Sequence, residues 1–206
     1  MDTKIYFIME SEDYDEYGFA FSPEDIEPKV IQNWDKRKEW SIIPFELQGG
    51  DYADYLVNDL NIPLCSEKLK HIIENNSPLN KGNLLFYPVD VTHENRTRTY
   101  YFLKPPILEN VIDTEKSVSQ NNTIFQPYFI PEKVENIFRC DYDAEYLLIT
   151  EDLMKVIQKE CVSGIDFYTW DSQESEPSNP KTPEQEEKER LHAERVERAR
   201  GRWILD

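Results

Sequence analysis

The sequence has few of the residue types and patterns on which catalytic and cofactor sites depend. Its three histidines lie far apart, and none belongs to a metal-binding pattern. Its six glycines form no phosphate-binding loop, and Gly49-Gly50 is typical of a turn, here placed before a helix. Cys140 or Cys161 with His71 would form a nucleophile pair only if the fold brought them together, so a hydrolase remains an alternative. We expect binding rather than catalysis, with no cofactor and no metal.

Signals for export and membrane insertion are also missing. No stretch approaches the roughly 20 apolar residues that a transmembrane helix needs. The apolar segment within residues 1–10 is too short for a secretory core and lacks a basic leader and a cleavage site. We predict that it forms the first strand of a cytoplasmic protein. Three cysteines, an odd number without metal-like spacing, predict buried free thiols at Cys65, Cys140 and Cys161.

Negative charge is what the chain has in excess. Its 23 Lys and Arg residues face 41 Asp and Glu residues, which gives a formal net charge of −18. Residues 177–206 carry seven charges of each sign, so the whole excess falls on residues 1–176. So acidic a domain repels nucleic acid and anionic membranes, and it attracts basic proteins. We therefore expect a basic protein partner, no nucleic acid and no membrane; alternatively, the charge only keeps the protein soluble.

Two short segments, residues 10–17 and 141–146, combine carboxylates with tyrosines. Tyrosine offers a large, rigid contact area, and carboxylates pair with the arginine and lysine of a partner. The residues predicted to contact a partner are Glu12, Asp13, Tyr14, Asp15, Glu16, Tyr17, Asp141, Tyr142 and Asp143. The alternative is that both segments are solvated loops without a partner.

The second segment also begins like a calcium-binding loop, because Asp141, Asp143 and Glu145 alternate. The sixth position of such a loop needs glycine, and the twelfth needs a bidentate glutamate. This chain has Tyr146 and Asp152 there. Calcium is therefore not expected.

One design occurs twice, 84 residues apart: a strand end, a capping hydroxyl and a short amphipathic helix. Ser66 and Thr150 are placed to accept a hydrogen bond from the first helical turn, and a glutamate follows each. Apolar residues then fall at i, i+3 and i+4, on one helix face: Leu69, Ile72 and Ile73, and likewise Leu153, Val156 and Ile157. Each helix leads into an aromatic-rich strand, which makes an internal strand–helix–strand repeat.

These patterns predict an α+β fold with a mostly antiparallel sheet, short helices, the internal repeat and a charged C-terminal helix. Alternating apolar and polar positions favour antiparallel strands, and the polar loop at Asn95-Arg96 predicts a hairpin. Strands are predicted near 4–9, 41–47, 84–91, 98–104, 107–113, 135–139, 146–149 and 164–169, and helices near 51–60, 66–75 and 150–160.

The composition changes after Trp170, which divides the chain into three predicted parts. Residues 1–170 form the α+β domain, and residues 171–181 are a polar, proline-containing linker. Residues 182–206 form a charged helix with an apolar end; Thr182, Pro183 and Gln185 provide its start signals. The helix either stays solvated or serves as a partner-binding or dimerising arm.

Short blocks over roughly residues 50–170 resemble a known family in their order and spacing. They are Asp54-Tyr55-Leu56, the run 62–69, the run 85–89, Tyr100-Tyr101-Phe102-Leu103, Asn110-Val111-Ile112-Asp113, Ile137-Phe138-Arg139 and Gly164-Ile165-Asp166-Phe167. In these blocks the chain resembles the bacterial polymorphic-toxin immunity proteins first described in a myxobacterial protein and long carried as a domain of unknown function. Pro105-Pro106 departs from the pattern, because an unbroken strand is expected there.

The resemblance implies a role that composition and periodicity do not show. Members of this family look like antidotes encoded beside polymorphic toxins, and they are not known as enzymes. We therefore expect an immunity protein that neutralises a cognate toxin by stoichiometric binding. The alternative is an acidic protein-binding adaptor, or a nucleic-acid mimic, that is not linked to a toxin.

Overall fold

The structure is a computed structural model that describes residues 5–10, 16–24, 26, 40–77, 84–120, 123–142 and 146–169. All described elements belong to the unit Met1–Asp171. The predicted linker 171–181 and the predicted helix 182–206 lie outside the described residues. The predicted fold class is confirmed, because the fold is α+β with mostly antiparallel strands and two short helices.

Thirteen strands and two α-helices make up the described part of the chain. The strands are β1 (Ile5–Glu10), β2 (Gly18–Phe21), β3 (Ile43–Gly49), β4 (Tyr55–Leu56), β5 (Leu64–Cys65), β6 (Leu85–His93), β7 (Arg96–Lys104), β8 (Ile107–Leu108), β9 (Val118–Gln120), β10 (Thr123–Gln126), β11 (Ile137–Cys140), β12 (Leu148–Thr150) and β13 (Ile165–Tyr168). The helices are α1 (Glu67–Asn76) and α2 (Glu151–Lys159).

Six strands form a sheet in the order β2-β3-β6-β7-β5-β4. The chain after β4 returns to β2: the Ala20 N–H donates to the Val57 carbonyl (2.9 Å), and the Asp59 N–H donates to the Ala20 carbonyl (3.3 Å). These bonds flank a parallel bridge between Ala20 and Asn58. The sheet therefore closes on itself, and we call it the barrel.

Alternation along the strands fills the barrel interior. On β3, Ile43, Phe45 and Leu47 are buried, while the residues between them are exposed. The Phe45 ring meets the Phe102 ring edge to face, with the centroids 5.5 Å apart. Large apolar side chains on inward positions thus form a closed core, as expected for a small barrel.

A second sheet has five strands in the order β13-β1-β12-β11-β8. Its middle is assembled from both ends of the described chain, because β1 pairs with β12 on one side and with β13 on the other, both antiparallel. The one parallel pair among the strands of this sheet is β8 and β11. In the six-strand ladder of the barrel, the one parallel pair is β3 and β6. A separate hairpin joins β9 and β10.

The two predicted helix starts are confirmed. Ser66 Oγ accepts a hydrogen bond from the Leu69 N–H (3.2 Å), and Thr150 Oγ1 accepts one from the Leu153 N–H (3.5 Å). Buried residues of both helices share one apolar cluster with strands of the barrel and of the five-stranded sheet. The helix pair therefore fills the junction between the two sheets.

The predicted helix near 51–60 is wrong. This segment contains a bridge from Asp51 to Tyr17, then β4, then a turn. Asn58 explains the difference, because its buried side chain donates to the Ile62 carbonyl (2.6 Å) and accepts from the Leu60 N–H (3.2 Å). Such local bonds compete with helical ones. Gly49 ends β3 with a φ of 87° and Gly50 forms a bend, but the helix predicted to follow them is absent from this segment.

The predicted strand near 107–113 is shorter in the structure. It stops at Leu108, because Asn110 has a φ of 55° and turns the chain. The chain then pairs with another segment: the Ile130 N–H donates to the Val111 carbonyl (2.8 Å). At Pro105-Pro106 the backbone separates β7 from β8, so the strand that the family pattern leads us to expect is interrupted.

The predicted burial of the free cysteines holds for two of the three. Cys65 and Cys140 are buried, and Cys161 is exposed. Cys161 lies just beyond α2 with a φ of 49°; its N–H donates to the Gln158 carbonyl, and the next N–H donates to the Ile157 carbonyl. These bonds define a Schellman helix end, whose left-handed residue faces solvent. Within the described residues, no helix is long and apolar enough to cross a membrane.

Candidate functional site

The two segments predicted to bind a partner begin at the same end of the five-stranded sheet. Leu148 of β12 pairs with Phe7 of β1 on one side and with Phe138 of β11 on the other, and both pairings are antiparallel. Strands β1 and β11 therefore run in the same direction, and both finish at this end. Their ends are two strand spacings apart, about 10 Å.

Acidic and aromatic residues occupy this end. Asp141 and Tyr142 follow β11 directly and are exposed. Glu109 follows β8, which runs parallel to β11, and it is exposed as well. Tyr146, 38% exposed, precedes β12. We call the group Glu109, Asp141, Tyr142 and Tyr146 the acidic end.

Tyr142 is held in place although its side chain is 49% exposed. Its hydroxyl accepts a hydrogen bond from the Ile124 N–H of β10 (2.8 Å), which ties the β9–β10 hairpin to the turn after β11. Val118 on β9 is also exposed, as is Ile107 on β8. A fixed tyrosine loses little side-chain entropy when it contacts a partner, which favours a role in recognition.

Glu16 and Tyr17 end the first predicted segment at the barrel. The Glu16 carbonyl accepts from the Asp51 N–H (2.8 Å), and Glu16 is exposed. Tyr17 is half-buried and packs against the barrel core, so part of its ring is used inside the protein. Gly50 permits this approach, since a Cβ there would lie 2.4 Å from the Glu16 carbonyl oxygen. The other predicted contact residues, Glu12, Asp13, Tyr14, Asp15 and Asp143, lie outside the described residues.

A second polar surface was not predicted from the sequence. Tyr52 lies at the turn end of the β6–β7 hairpin: its hydroxyl accepts from the His93 N–H (3.0 Å) and donates to the Arg96 carbonyl (2.6 Å). The Arg98 guanidinium carbon lies 4.2 Å from the centre of the Tyr52 ring. The signal was present in the sequence, because Arg96 and Arg98 occupy alternate positions, which share one face of a strand.

The positive charge of these arginines affects the pKa of the neighbouring Asp51. Its pKa lies below the ordinary value, first because the Tyr52 N–H donates to its carboxylate (2.8 Å), and further because Arg96 and Arg98 are near. The Arg96–Asp51 ion pair is long, at 3.8 Å, and both side chains are largely exposed. Arg96 is therefore only loosely held by this carboxylate.

No group of three or more His, Cys, Asp or Glu side chains among the described residues is arranged to hold a metal ion. A comparison with protein-family models and one with curated proteins find no match to this chain.

Proposed function

We propose that this chain is an immunity protein that binds a cognate toxin in the cytoplasm of the producing cell and blocks it by stoichiometric occlusion. One observation carries the proposal. Two carboxylate and tyrosine segments, more than 120 residues apart in sequence, start from the same end of the five-stranded sheet. A surface assembled from distant segments in this way offers a partner several contacts at once.

The chemistry of the acidic end fits a basic partner. The charge of −18 carried by residues 1–176 attracts such a protein from a distance and raises its association rate. Tyr142, fixed by the Ile124 N–H, supplies an aromatic anchor of the kind that sets the lifetime of a complex. Charge would thus govern how fast the complex forms, and the tyrosine would govern how long it lasts.

The resemblance to the immunity family supports the same reading. Its helix blocks coincide with the two capped helices, and Ser66 and Thr150 cap them as the repeat requires. The order of strand, cap, helix and strand is present in both halves of the described domain. The resemblance supplies the link to toxins, and the acidic end supplies the surface.

The test is co-expression with the toxin-domain product of the gene immediately upstream, scoring host survival and co-purification together. The native chain should rescue the host and form a stable complex. The double variant Asp141→Lys, Tyr142→Ala should bind at least about tenfold more weakly. Glu46→Lys is the matched control, because Glu46 is an exposed carboxylate on the outer face of the barrel; it should bind like the native chain.

Each failure has a distinct meaning. Death of the host without any complex would reject the antidote role and leave an acidic adaptor or nucleic-acid mimic as the function. Rescue and full affinity in the double variant would keep the antidote role and remove the acidic end from the interface.

A further inference from the structure

A polar cleft of about 540 Å³ opens beside the barrel, next to the arginines of β7. The segment 52–54, the first turn of α1 and strand β7 surround it. Its lining includes Tyr52, Asp54, Ser66, Lys68, Arg98 and Ser163. The volume lies in the range of small-molecule sites, and the lining combines an aromatic ring with several hydrogen-bonding groups.

Most charged groups in this cleft already have partners. Asp54 accepts hydrogen bonds from the Ser66 hydroxyl (2.7 Å) and from the Ser163 N–H (3.2 Å). Lys68 Nζ lies 3.2 Å from the same carboxylate and donates to the Cys161 carbonyl (3.1 Å). The negative charge of Asp54 and the positive charge of Lys68 therefore offset each other.

Arg98 is the exception. Its guanidinium lies over the Tyr52 ring and near the exposed Asp51, and among the described residues its side chain makes no hydrogen bond or ion pair. A guanidinium has five N–H donors, arranged so that two of them can meet a carboxylate or a phosphate side by side. The Tyr52 ring fixes the position of the group without using these donors. The position is thus set, and the hydrogen-bonding capacity remains.

The remaining acidic group at the rim is Glu67, whose side chain is 62% exposed and lies 3.9 Å from His71. Water screens so exposed a carboxylate. Thr99 and Tyr100 also line the cleft, but the Tyr100 hydroxyl donates to the Ala53 carbonyl (2.6 Å), and the Thr99 hydroxyl donates to Asp90 (3.4 Å). Arg98 is therefore the group that an incoming ligand would meet.

We propose that this cleft binds a small molecule that carries a carboxylate or a phosphate group, and that Arg98 holds that group through paired hydrogen bonds. The Tyr52 ring supplies an apolar wall. The proposal does not depend on the antidote function, because the cleft and the acidic end are built from different residues.

The test is an NMR titration of the ¹⁵N-labelled full chain with inorganic phosphate and, separately, with acetate, at constant ionic strength. We expect saturable shifts in the amides of Tyr52, Ser66 and Thr99 and in the Arg98 side-chain N–H. A response to phosphate alone identifies an organic phosphate as the ligand class, a response to acetate alone identifies a carboxylate, and equal responses support the shared chemistry.

Three variants complete the test. Arg98→Gln should weaken binding at least about tenfold, and Arg98→Lys should weaken it less, because the charge remains but the paired donors are lost. Lys159→Gln is the matched control, since it removes one positive charge at the exposed end of α2; it should bind like the native chain. The native amide pattern in each variant shows that the fold persists. Shifts that do not saturate with either ion, or that are equal in Arg98→Gln, would overturn the proposal.

Discussion

Asp54 and Ser163, 109 residues apart, exchange hydrogen bonds. The Asp54 N–H donates to Ser163 Oγ (2.9 Å), and the Ser163 N–H donates to Asp54 Oδ2 (3.2 Å). Ser66, the N-cap of α1, and Lys68 in its first turn donate to the same carboxylate. One aspartate beside the barrel therefore fastens both the start of α1 and the connection from α2 to β13.

Replacing this carboxylate should destabilise the whole domain. Asp54→Asn keeps the size of the side chain but removes its charge. It also turns the new amide N–H donors toward groups that donate to Asp54, such as Lys68 and the Ser163 N–H. We expect the free energy of unfolding in urea to fall by about 2 kcal/mol, the usual range for a hydrogen bond to a charged group. Glu46→Gln, an exposed change on the barrel, should alter it by less than about 0.5 kcal/mol. Equal values for the two variants would show that the Asp54 cluster adds no stability.

The same cluster should make the free energy of unfolding depend on pH in the acidic range. Burial alone would raise the pKa of Asp54, but hydrogen bonds from Ser66 and Ser163 and the nearby Lys68 outweigh it and hold the pKa below its ordinary value of 3.8. The stabilisation is complete above the pKa of the unfolded chain and is lost as the pH falls through the lower native pKa.

The difference in unfolding free energy between the native chain and Asp54→Asn should therefore be constant from about pH 7 to pH 5 and shrink below that. Urea unfolding of both proteins at each pH measures it. This comparison cancels the contributions of Asp51 and Asp113, whose pKa values are also lowered. A difference that stays constant down to pH 3 would contradict the assignment.

The two helix caps should differ in strength. Ser66 Oγ accepts from the Leu69 N–H and also donates to Asp54 at 2.7 Å, whereas Thr150 makes a longer cap bond and donates to Asn136 at 3.3 Å. Thr150→Ala should cost about 1 kcal/mol, the usual value of a cap. Ser66→Ala should cost about 2–3 kcal/mol, because a bond to a charged group is lost as well. The reverse order in thermal unfolding would count against a linked cluster.

Cys161 should be replaceable with a gain in stability. Its left-handed backbone is strained for any residue with a Cβ, and glycine adopts it without this penalty. Glycine loses more entropy on folding, so we expect Cys161→Gly to gain about 0.5–1 kcal/mol. Cys161→Ala is the control, because it removes the thiol and keeps the Cβ. A gain that appears equally in Cys161→Ala would assign the effect to the thiol.

The sequence predicted the parts of the fold that depend on neighbours along the chain. Ser66 and Thr150 cap helices because each hydroxyl lies three residues before the amide that it accepts from. The turn around Asn95 was similarly readable, because β6 and β7 pair directly across it. Such local signals require no knowledge of distant contacts.

Features that depend on distant contacts were missed. Residues 51–60 were predicted as helix, but this segment instead bonds to the distant Ala20 and closes the barrel. The cleft was not predicted, because Arg98 becomes part of a site only through its contact with the Tyr52 ring. Tyr52 lies 46 residues earlier in the sequence. Composition alone indicated the two acidic and aromatic segments. Only the structure shows that the strands before them, β1 and β11, end at the same side of one sheet.

The pairing of β1 also constrains the order of events during synthesis. Of the described strands β1 leaves the ribosome first, yet its partners β12 and β13 begin at residues 148 and 165. All six strands of the barrel have been synthesised once the chain reaches Lys104, whereas β1 still lacks both of its partner strands at that stage. Distant pairings form slowly. Pulse-labelled hydrogen exchange during refolding should therefore protect the amides of β3, β6 and β7 before those of β1, and β1 should stay unpaired in the nascent chain until β12 emerges.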